Sequence, residues 1–203
     1  MTKTILFYHD LASPNAYFAN KVLKQIAERT GAQITYRPVL LGGVFKATGN
    51  QAPFVAFGNI PAKMKYMQIE MNRFVKQHSL TKFKMNPHFP LNTLVLSRAA
   101  VAADMNGELE AFITAGEQLV WEDGLKMDDP EVFVDKFTAL GLNGEKLLAQ
   151  TQDPDVKAKL VANTNEAVEC GVFGVPSFIV DDELYFGKDT LHEIENVLGL
   201  RTR

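Results

Sequence analysis

Residues 5–17 read ILFYHDLASPNAY, and the rest of the chain is arranged around them. The apolar first half predicts a buried strand. Ser13-Pro14 then predicts a helix start, because a serine hydroxyl can accept from free N–H groups of the first turn and proline suits the first helical position. Apolar residues recur at helical spacing over residues 14–29, and Gly31 is a plausible stop. The sequence therefore predicts a strand, a tight loop and a helix.

The N-terminus of that helix has two interpretations. Its partial positive charge and unpaired N–H groups favour an anion, and a hydroxyl placed there can donate to a thiolate or a carboxylate. Taken alone, however, serine at this position more often serves only as a helix cap. Both interpretations of Ser13 stay open on these residues.

Composition excludes several classes of protein. The 203 residues suffice for one domain, or one domain with a large insertion, and for a real core. A net charge of −3 without a basic patch predicts no nucleic-acid partner, and the lack of an apolar run of about 18 residues predicts no membrane span. The first residues lack the features of a signal peptide, and the four histidines lack the spacing of metal ligands, so we expect no metal.

One cysteine, Cys170, bounds the redox chemistry of the chain. It excludes an internal disulfide and dithiol chemistry, and it fits a reducing cytoplasm. We expect Cys170 to be a small buried hydrophobic residue.

The remaining pattern changes twice along the chain. Residues 33–41 (QITYRPVLL) predict a second strand, parallel to the first, since strand, helix and strand at this spacing form a βαβ unit. No convincing strand follows over residues 45–170, where the predicted helices lie at 61–76, 94–105, 108–121, 130–140 and 154–169, with a shorter helical piece between the turn at 141–144 and residue 154. The last part predicts strands at 177–180 and 183–186 around an Asp181-Asp182 turn, then a helix at 190–198.

The order β-α-β, helical block, β-β-α predicts an α/β fold with a split sheet of about four strands covered by helices. We expect residues 1–42 and 171–203 to form the sheet domain and residues 43–170 to form an all-helical insertion domain.

Val175-Pro176 stands directly before a predicted strand, where proline cannot donate to a ladder. A cis bond here would leave the backbone N–H and C=O of Val175 free to pair with an extended peptide. A rigid trans turn is equally compatible with the sequence.

These patterns together resemble the thioredoxin fold with its cis-proline, with an insertion similar to that of the DsbA-like branch. More specifically, they resemble the kappa-class glutathione transferases and the 2-hydroxychromene-2-carboxylate isomerases, and the loop at 86–93 is closer to the isomerase members. The resemblance covers essentially the whole chain. Its motifs, in order, are Asp10-x-x-Ser13-Pro14, Gly49-Asn50, Pro61-x-Lys63, Asn86-Pro87-x-Phe89-Pro90-x-Asn92-Thr93, Gly171-Val172-Phe173-Gly174-Val175-Pro176 and Phe186-Gly187-x-Asp189.

The resemblance implies a site for reduced glutathione. Ser13 would hydrogen-bond the glutathione sulfur. Asn50 and Lys63 would hold the tripeptide, with Lys63 near its glycine carboxylate. Val175, followed by Pro176, would pair through its backbone with the cysteinyl residue.

The resemblance also implies how the γ-glutamyl end is held. Lys188 and Asp189 would bind it, with Asp189 meeting its ammonium group. Two positions depart from the family pattern: Lys188 stands where transferase relatives often have serine, and Thr190 where many relatives have arginine.

The position of the Cys-x-x-Cys pair of dithiol relatives reads Ser13-Pro14-Asn15-Ala16 here, so the thiol must come from a ligand. A hydroxyl donor and a helix N-terminus raise the thiolate fraction of a bound thiol. Ser13 would therefore orient and stabilise a nucleophile without being one.

The resemblance predicts a glutathione-dependent isomerase of aromatic catabolism. It would interconvert 2-hydroxychromene-2-carboxylate and trans-o-hydroxybenzylidenepyruvate by transient thiolate addition, bond rotation and expulsion of the thiolate. One alternative is a kappa-like glutathione transferase acting on electrophiles, and a second is a non-catalytic thioredoxin-fold binding module. By analogy with the family we expect a homodimer.

The substrate, a small aromatic acid, would need an apolar wall and a cation. Lys46 or Lys63 could meet its carboxylate, and Asn92 lies in the isomerase-like loop. The candidate wall residues, each equally suited to a core, are Phe45, Phe54, Phe57, Phe89 and Phe173.

Overall fold

A four-stranded mixed sheet forms the centre of the structure, a computed structural model that describes residues 3–200. Its strands are β1 (Thr4–His9), β2 (Gln33–Pro38), β3 (Ser177–Val180) and β4 (Glu183–Phe186), in the order β2-β1-β3-β4. β1 and β2 are parallel, and β3 is antiparallel to both β1 and β4. The predicted split sheet and α/β class are confirmed.

Helix α1 (Pro14–Thr30) follows β1 as predicted. The Ser13 side chain caps it by accepting from the Ala16 N–H, and Gly31 ends it in the left-handed conformation at φ 68°. Tyr17, Phe18, Leu23 and other apolar residues of one face are buried against the sheet and the neighbouring helices. Local capping chemistry and helical periodicity therefore suffice to fix this element.

Helices fill the chain between β2 and β3, where residues 39–176 contain no strand. They are α2 (Leu41–Thr48), α3 (Pro53–Ala56), α4 (Pro61–Gln77), α5 (Leu94–Met105), α6 (Leu109–Trp121), α7 (Pro130–Ala139), α8 (Gly144–Gln150) and α9 (Pro154–Glu169). A 3₁₀ turn (Lys188–Thr190) and α10 (Leu191–Leu200) follow β4. The domain boundaries at 42/43 and 170/171 stay a prediction. None of the described helices combines the length and the apolar character needed to cross a membrane.

Three predicted details are wrong. β2 ends at Pro38 and not at residue 41, because Leu41 begins α2 and donates its N–H to the Asp10 carboxylate at 2.8 Å. The last helix begins at Leu191 after the 3₁₀ turn. Cys170 is exposed and not buried, because it is the C-cap of α9, where the chain leaves the packed helix.

The core lies on both faces of β1, whose side chains alternate between them. Ile5 and Phe7 join the larger core, which includes Trp121 and Phe178, whereas Tyr8 packs in a smaller cluster with Val175. Each such large side chain contributes about 1.5–3 kcal/mol when fully buried. The end of β1 and the segment before β3 are therefore held firmly by packing.

Candidate functional site

Ser13 lies between β1 and α1 and is only 5% exposed. Its Oγ accepts from the Ala16 N–H at 3.2 Å and donates to the Val175 carbonyl at 3.2 Å. The two strongest sequence signals, 162 positions apart, thus meet through one hydroxyl. Ser13 is a cap, as one interpretation held, and it also contacts a second segment.

The Val175-Pro176 peptide bond is cis, which decides between the two predicted turns. The Pro176 carbonyl accepts from the Gly187 N–H at 2.9 Å, and the Val175 carbonyl accepts the Ser13 hydroxyl. Within residues 3–200 the Val175 N–H donates no hydrogen bond. Of the two backbone groups expected to be free, only the N–H therefore has no hydrogen bond among the described residues, whereas the carbonyl already accepts one from Ser13.

The loop before Ser13 is held by hydrogen bonds with Asp10 and Trp121. The Asp10 carboxylate accepts from the N–H groups of Ala12 at 2.9 Å and Leu41 at 2.8 Å. Trp121 Nε1 donates to the Leu11 carbonyl at 3.1 Å. Gly116 lets α6 approach, since a Cβ there would lie 2.7 Å from Leu11 Cδ1. Asp10 therefore has the supporting role that its position after β1 indicates.

The pH dependence of stability should report on Asp10. Burial raises the pKa of its carboxyl above the ordinary 3.8, although the N–H groups of Leu41 and Ala12 act in the opposite direction. A raised pKa means that the folded chain holds this proton more tightly than the unfolded chain does. We expect the free energy of unfolding, relative to Asp10→Asn, to fall as pH rises from about 4 through the raised pKa and then to level off. Urea unfolding over that pH series measures it, and a constant difference would contradict the expectation.

Asn50 lies beside the segment that leads to Val175. Its amide donates to the Phe173 carbonyl at 2.8 Å, although the two residues are 123 positions apart. The Phe173 ring lies 4.3 Å from that of Phe186, and both are partly exposed. A Cβ on Gly174 would lie 3.1 Å from the Phe186 ring, so glycine permits this close approach. Asn50 and Phe173 are thus brought together next to the Val175 segment, and Phe186, to which the sequence analysis gave no role, contacts Phe173 there.

Lys63 and Lys46 are both exposed. Lys63 lies in the first turn of α4, where its ammonium group is 3.1 Å from the centroid of the Phe57 ring. Among the described residues, its side chain has no ion pair or hydrogen bond. Its charge is therefore available to an anionic group.

Lys188 and Asp189 differ in accessibility. Lys188 is 3% exposed, and its ammonium group contacts Glu70 and the two carboxylate oxygens of Asp189, at 2.9 and 3.1 Å. The Asp189 side chain is 75% exposed. Asp189 can thus receive a cationic group, whereas Lys188 is enclosed. Glu70 was missed by the sequence analysis, because a single glutamate on an exposed helix gives no local signal.

Phe89 belongs to an aromatic wall that reaches the Ser13 loop. Its ring lies 5.3 Å from Phe54 and 6.3 Å from Trp121, the residue that binds the Leu11 carbonyl. Asn92, in contrast, is used locally, since its Oδ1 accepts from the Leu94 N–H at 3.2 Å where α5 begins.

A buried polar network, also missed, lies behind the loop. His9 Nε2 is 3.2 Å from Glu117 Oε1, which accepts from Asn20 Nδ2 at 2.9 Å. Tyr36 donates to Asn20 Oδ1 at 2.7 Å, and burial raises the pKa of the Tyr36 phenol, which keeps this donor protonated. The available signal was a glutamate on the buried face of α6, whose other members are apolar. The network ties α6 to β1, β2 and α1.

Comparison with known proteins covers nearly the whole chain. Residues 4–199 match the DSBA-like thioredoxin domain family. A 2-hydroxychromene-2-carboxylate isomerase of Sphingobium xenophagum is 30% identical, over 98% of this chain and 99% of its own. Glutathione S-transferase kappa 1 of Homo sapiens is 25% identical, over 98% and 92% respectively. A solved structure of a 2-hydroxychromene-2-carboxylate isomerase has the same fold, with a TM-score of 0.85 at 23% identity and coverage of 98% and 96%.

Proposed function

Since the chain belongs to the DSBA-like thioredoxin domain family, with isomerases and kappa glutathione transferases among its relatives, we propose that it is an enzyme that uses reduced glutathione. The observation that carries the proposal is the Ser13 hydroxyl. It stands at the N-terminus of α1, opposite the Val175 backbone, in a chain whose single cysteine, Cys170, is at the end of α9.

The residues of the site fit the groups of a tripeptide thiol. Ser13 would donate to the sulfur, and the Val175 N–H would pair with the cysteinyl carbonyl. Lys63 would meet the glycine carboxylate, and the exposed Asp189 the γ-glutamyl ammonium group. Asn50 holds the Phe173 segment beside them. When bound, glutathione supplies the thiolate that this chain does not have, and Ser13 with the helix N-terminus favours that charged form.

The reaction we propose is the interconversion of 2-hydroxychromene-2-carboxylate and trans-o-hydroxybenzylidenepyruvate. A flat aromatic acid suits the half-buried ring of Phe89 and the exposed rings of Phe54 and Phe173. Lys46 or Lys63 would face its carboxylate. The proposal includes a homodimer in the cytoplasm.

A kappa-like transferase is the second candidate function. The supporting observation is the similarity to Glutathione S-transferase kappa 1 over nearly the whole chain. Both functions need the same thiolate, and they differ in the fate of glutathione: an isomerase regenerates it, whereas a transferase releases a conjugate.

The experiment follows the absorbance of 2-hydroxychromene-2-carboxylate with enzyme, with and without substoichiometric reduced glutathione. We expect equilibration only with glutathione present, and an unchanged concentration of free thiol at the end. In a parallel assay with an electrophilic aryl halide, consumption of thiol in proportion to the halide, without isomerisation of the chromene acid, would select the transferase. No binding of glutathione in calorimetry would contradict both enzymes and leave the binding module.

A further inference from the structure

Helix α4 is held to the rest of the chain through its C-terminal half, where Phe74 and its neighbours pack against the core. Phe74 is its single buried residue in the described structure, and Tyr66 and Ile69 are exposed. Glu70 and Phe74, one turn apart and hence on the same face, both contact Lys188. The Lys188 ammonium group lies 4.9 Å from the Phe74 ring centroid and pairs with the Glu70 carboxylate. Lys188 therefore joins α4 to the 3₁₀ turn.

The ammonium group of Lys188 is surrounded by protein groups and is not free to bind a ligand. Its ammonium group has Glu70, both oxygens of Asp189 and the Phe74 ring around it. A lysine that is almost fully buried persists only where its charge is paired. A ligand carboxylate would have to displace these groups. Lys188 is thus placed to bind α4, and contact with a ligand falls to Asp189.

Both segments joined by Lys188, the 3₁₀ turn and α4, carry residues that lie next to or belong to the candidate site. Gly187, the residue before Lys188, donates to the Pro176 carbonyl at 2.9 Å, directly beside Val175. On α4, Lys63 precedes Glu70 by seven residues, which is about two turns and about 10 Å along the same side of the helix. The contact between Glu70 and Lys188, together with the core packing around Phe74, therefore sets the position of Lys63.

We propose that Lys188 and Glu70 are positioning residues that dock α4 beside the Val175 turn and thereby place Lys63 over the ligand. The inference rests on the proposed function in one respect, that Lys63 meets the glycine carboxylate of glutathione. It assigns Lys188 and Glu70 to the architecture of the site and leaves the γ-glutamyl end to Asp189.

Hydrogen exchange without added ligand tests the docking. In Glu70→Gln we expect the backbone amides of α4 to exchange about tenfold faster, with those of α6 unchanged, since a charge-assisted contact of α4 is lost. Glu131→Gln, the same substitution at an exposed position of α7, is the control and should change neither helix. Unchanged exchange in α4 would overturn the proposal.

Calorimetry with two peptides tests the consequence for Lys63. We expect Glu70→Gln to weaken glutathione binding about tenfold and that of γ-glutamylcysteine, which has no glycine carboxylate, less than twofold. In a Lys63→Met background, Glu70→Gln should add less than about a twofold loss for glutathione. Equal losses for both peptides would place Glu70 at the γ-glutamyl end and overturn the proposal. If the wild type bound neither peptide, the proposed function would fail, while hydrogen exchange would still decide the docking.

Discussion

Ser13→Ala is expected to lower glutathione-dependent turnover by about 10²–10³-fold, the usual effect of removing one preorganised donor to a developing or stabilised anion. The hydroxyl is buried and held in place by its bonds to the Val175 carbonyl and the Ala16 N–H, so only a rotation of its O–H from the carbonyl to the sulfur is needed when a thiolate binds. Initial rates at saturating glutathione measure the loss. Because the thiolate form is favoured less, the pKa of the bound thiol should also rise, which thiolate ultraviolet absorbance follows.

The substitution also removes a helix cap, so stability needs its own control. The Ser13 Oγ accepts from the Ala16 N–H, and losing such a cap costs about 1 kcal/mol. Asp153→Ala removes the cap of α9, where the carboxylate accepts from the Asp155 N–H at 2.8 Å, and should cost a similar amount with turnover unchanged. Ser13→Thr keeps a hydroxyl and should retain part of the activity. Equal turnover in Ser13→Ala and Asp153→Ala would exclude the role assigned to Ser13.

Glu117→Ala is expected to lower the free energy of unfolding by about 3–5 kcal/mol, the cost of breaking a buried charged network by removing one partner. The Glu117 side chain is 1% exposed and lies within hydrogen-bonding distance of His9 and Asn20, with Lys21 at 3.7 Å. Without it, His9 and Asn20 remain in the interior without this acceptor, whereas Lys21 keeps its ion pair with Glu122 at 3.1 Å. Chemical denaturation at neutral pH measures the change.

Glu110→Ala is the matched control, on the same helix and with the same change in side chain. Its carboxylate is 73% exposed and pairs with Lys24 at 3.4 Å, so the loss should stay below about 1 kcal/mol. If the two variants lost similar amounts, the buried network would contribute nothing beyond a surface ion pair, and the interpretation of Glu117 would be wrong.

The elements that the sequence predicts well are those set by neighbours along the chain. Ser13-Pro14 predicts the start of α1, because serine as a helix cap and proline as the first helical residue are both distinctive in a sequence. Asp181 and Asp182 turn between β3 and β4 with φ of 51° and 67°, a conformation that aspartate tolerates. The change of hydrophobic period then separates sheet from helical block. From these the order of the fold follows.

Contacts between distant residues could not be predicted in the same way. His9 and Glu117 are 108 positions apart, and Glu70 and Lys188 are 118 apart, so no spacing relates them. The end of β2 shows the same limit on a smaller scale. Residues 39–41 favour a strand by composition, but the Asp10 carboxylate, 31 positions away, takes the Leu41 N–H and α2 begins there.

The hydrogen bond from Ser13 to Val175 determines how strong a hydrogen-bond acceptor a ligand must place at the sulfur position. The hydroxyl has one proton, and a backbone carbonyl already accepts it. A ligand sulfur must therefore be a stronger hydrogen-bond acceptor than the Val175 carbonyl. A thioether or a neutral thiol is a weaker acceptor than a carbonyl. A thiolate is a stronger one, since charge-assisted hydrogen bonds are roughly twice as strong as neutral ones. The site would then sort its ligands by ionisation as well as by shape, and the displaced carbonyl would be released to accept an N–H of the ligand that displaced it.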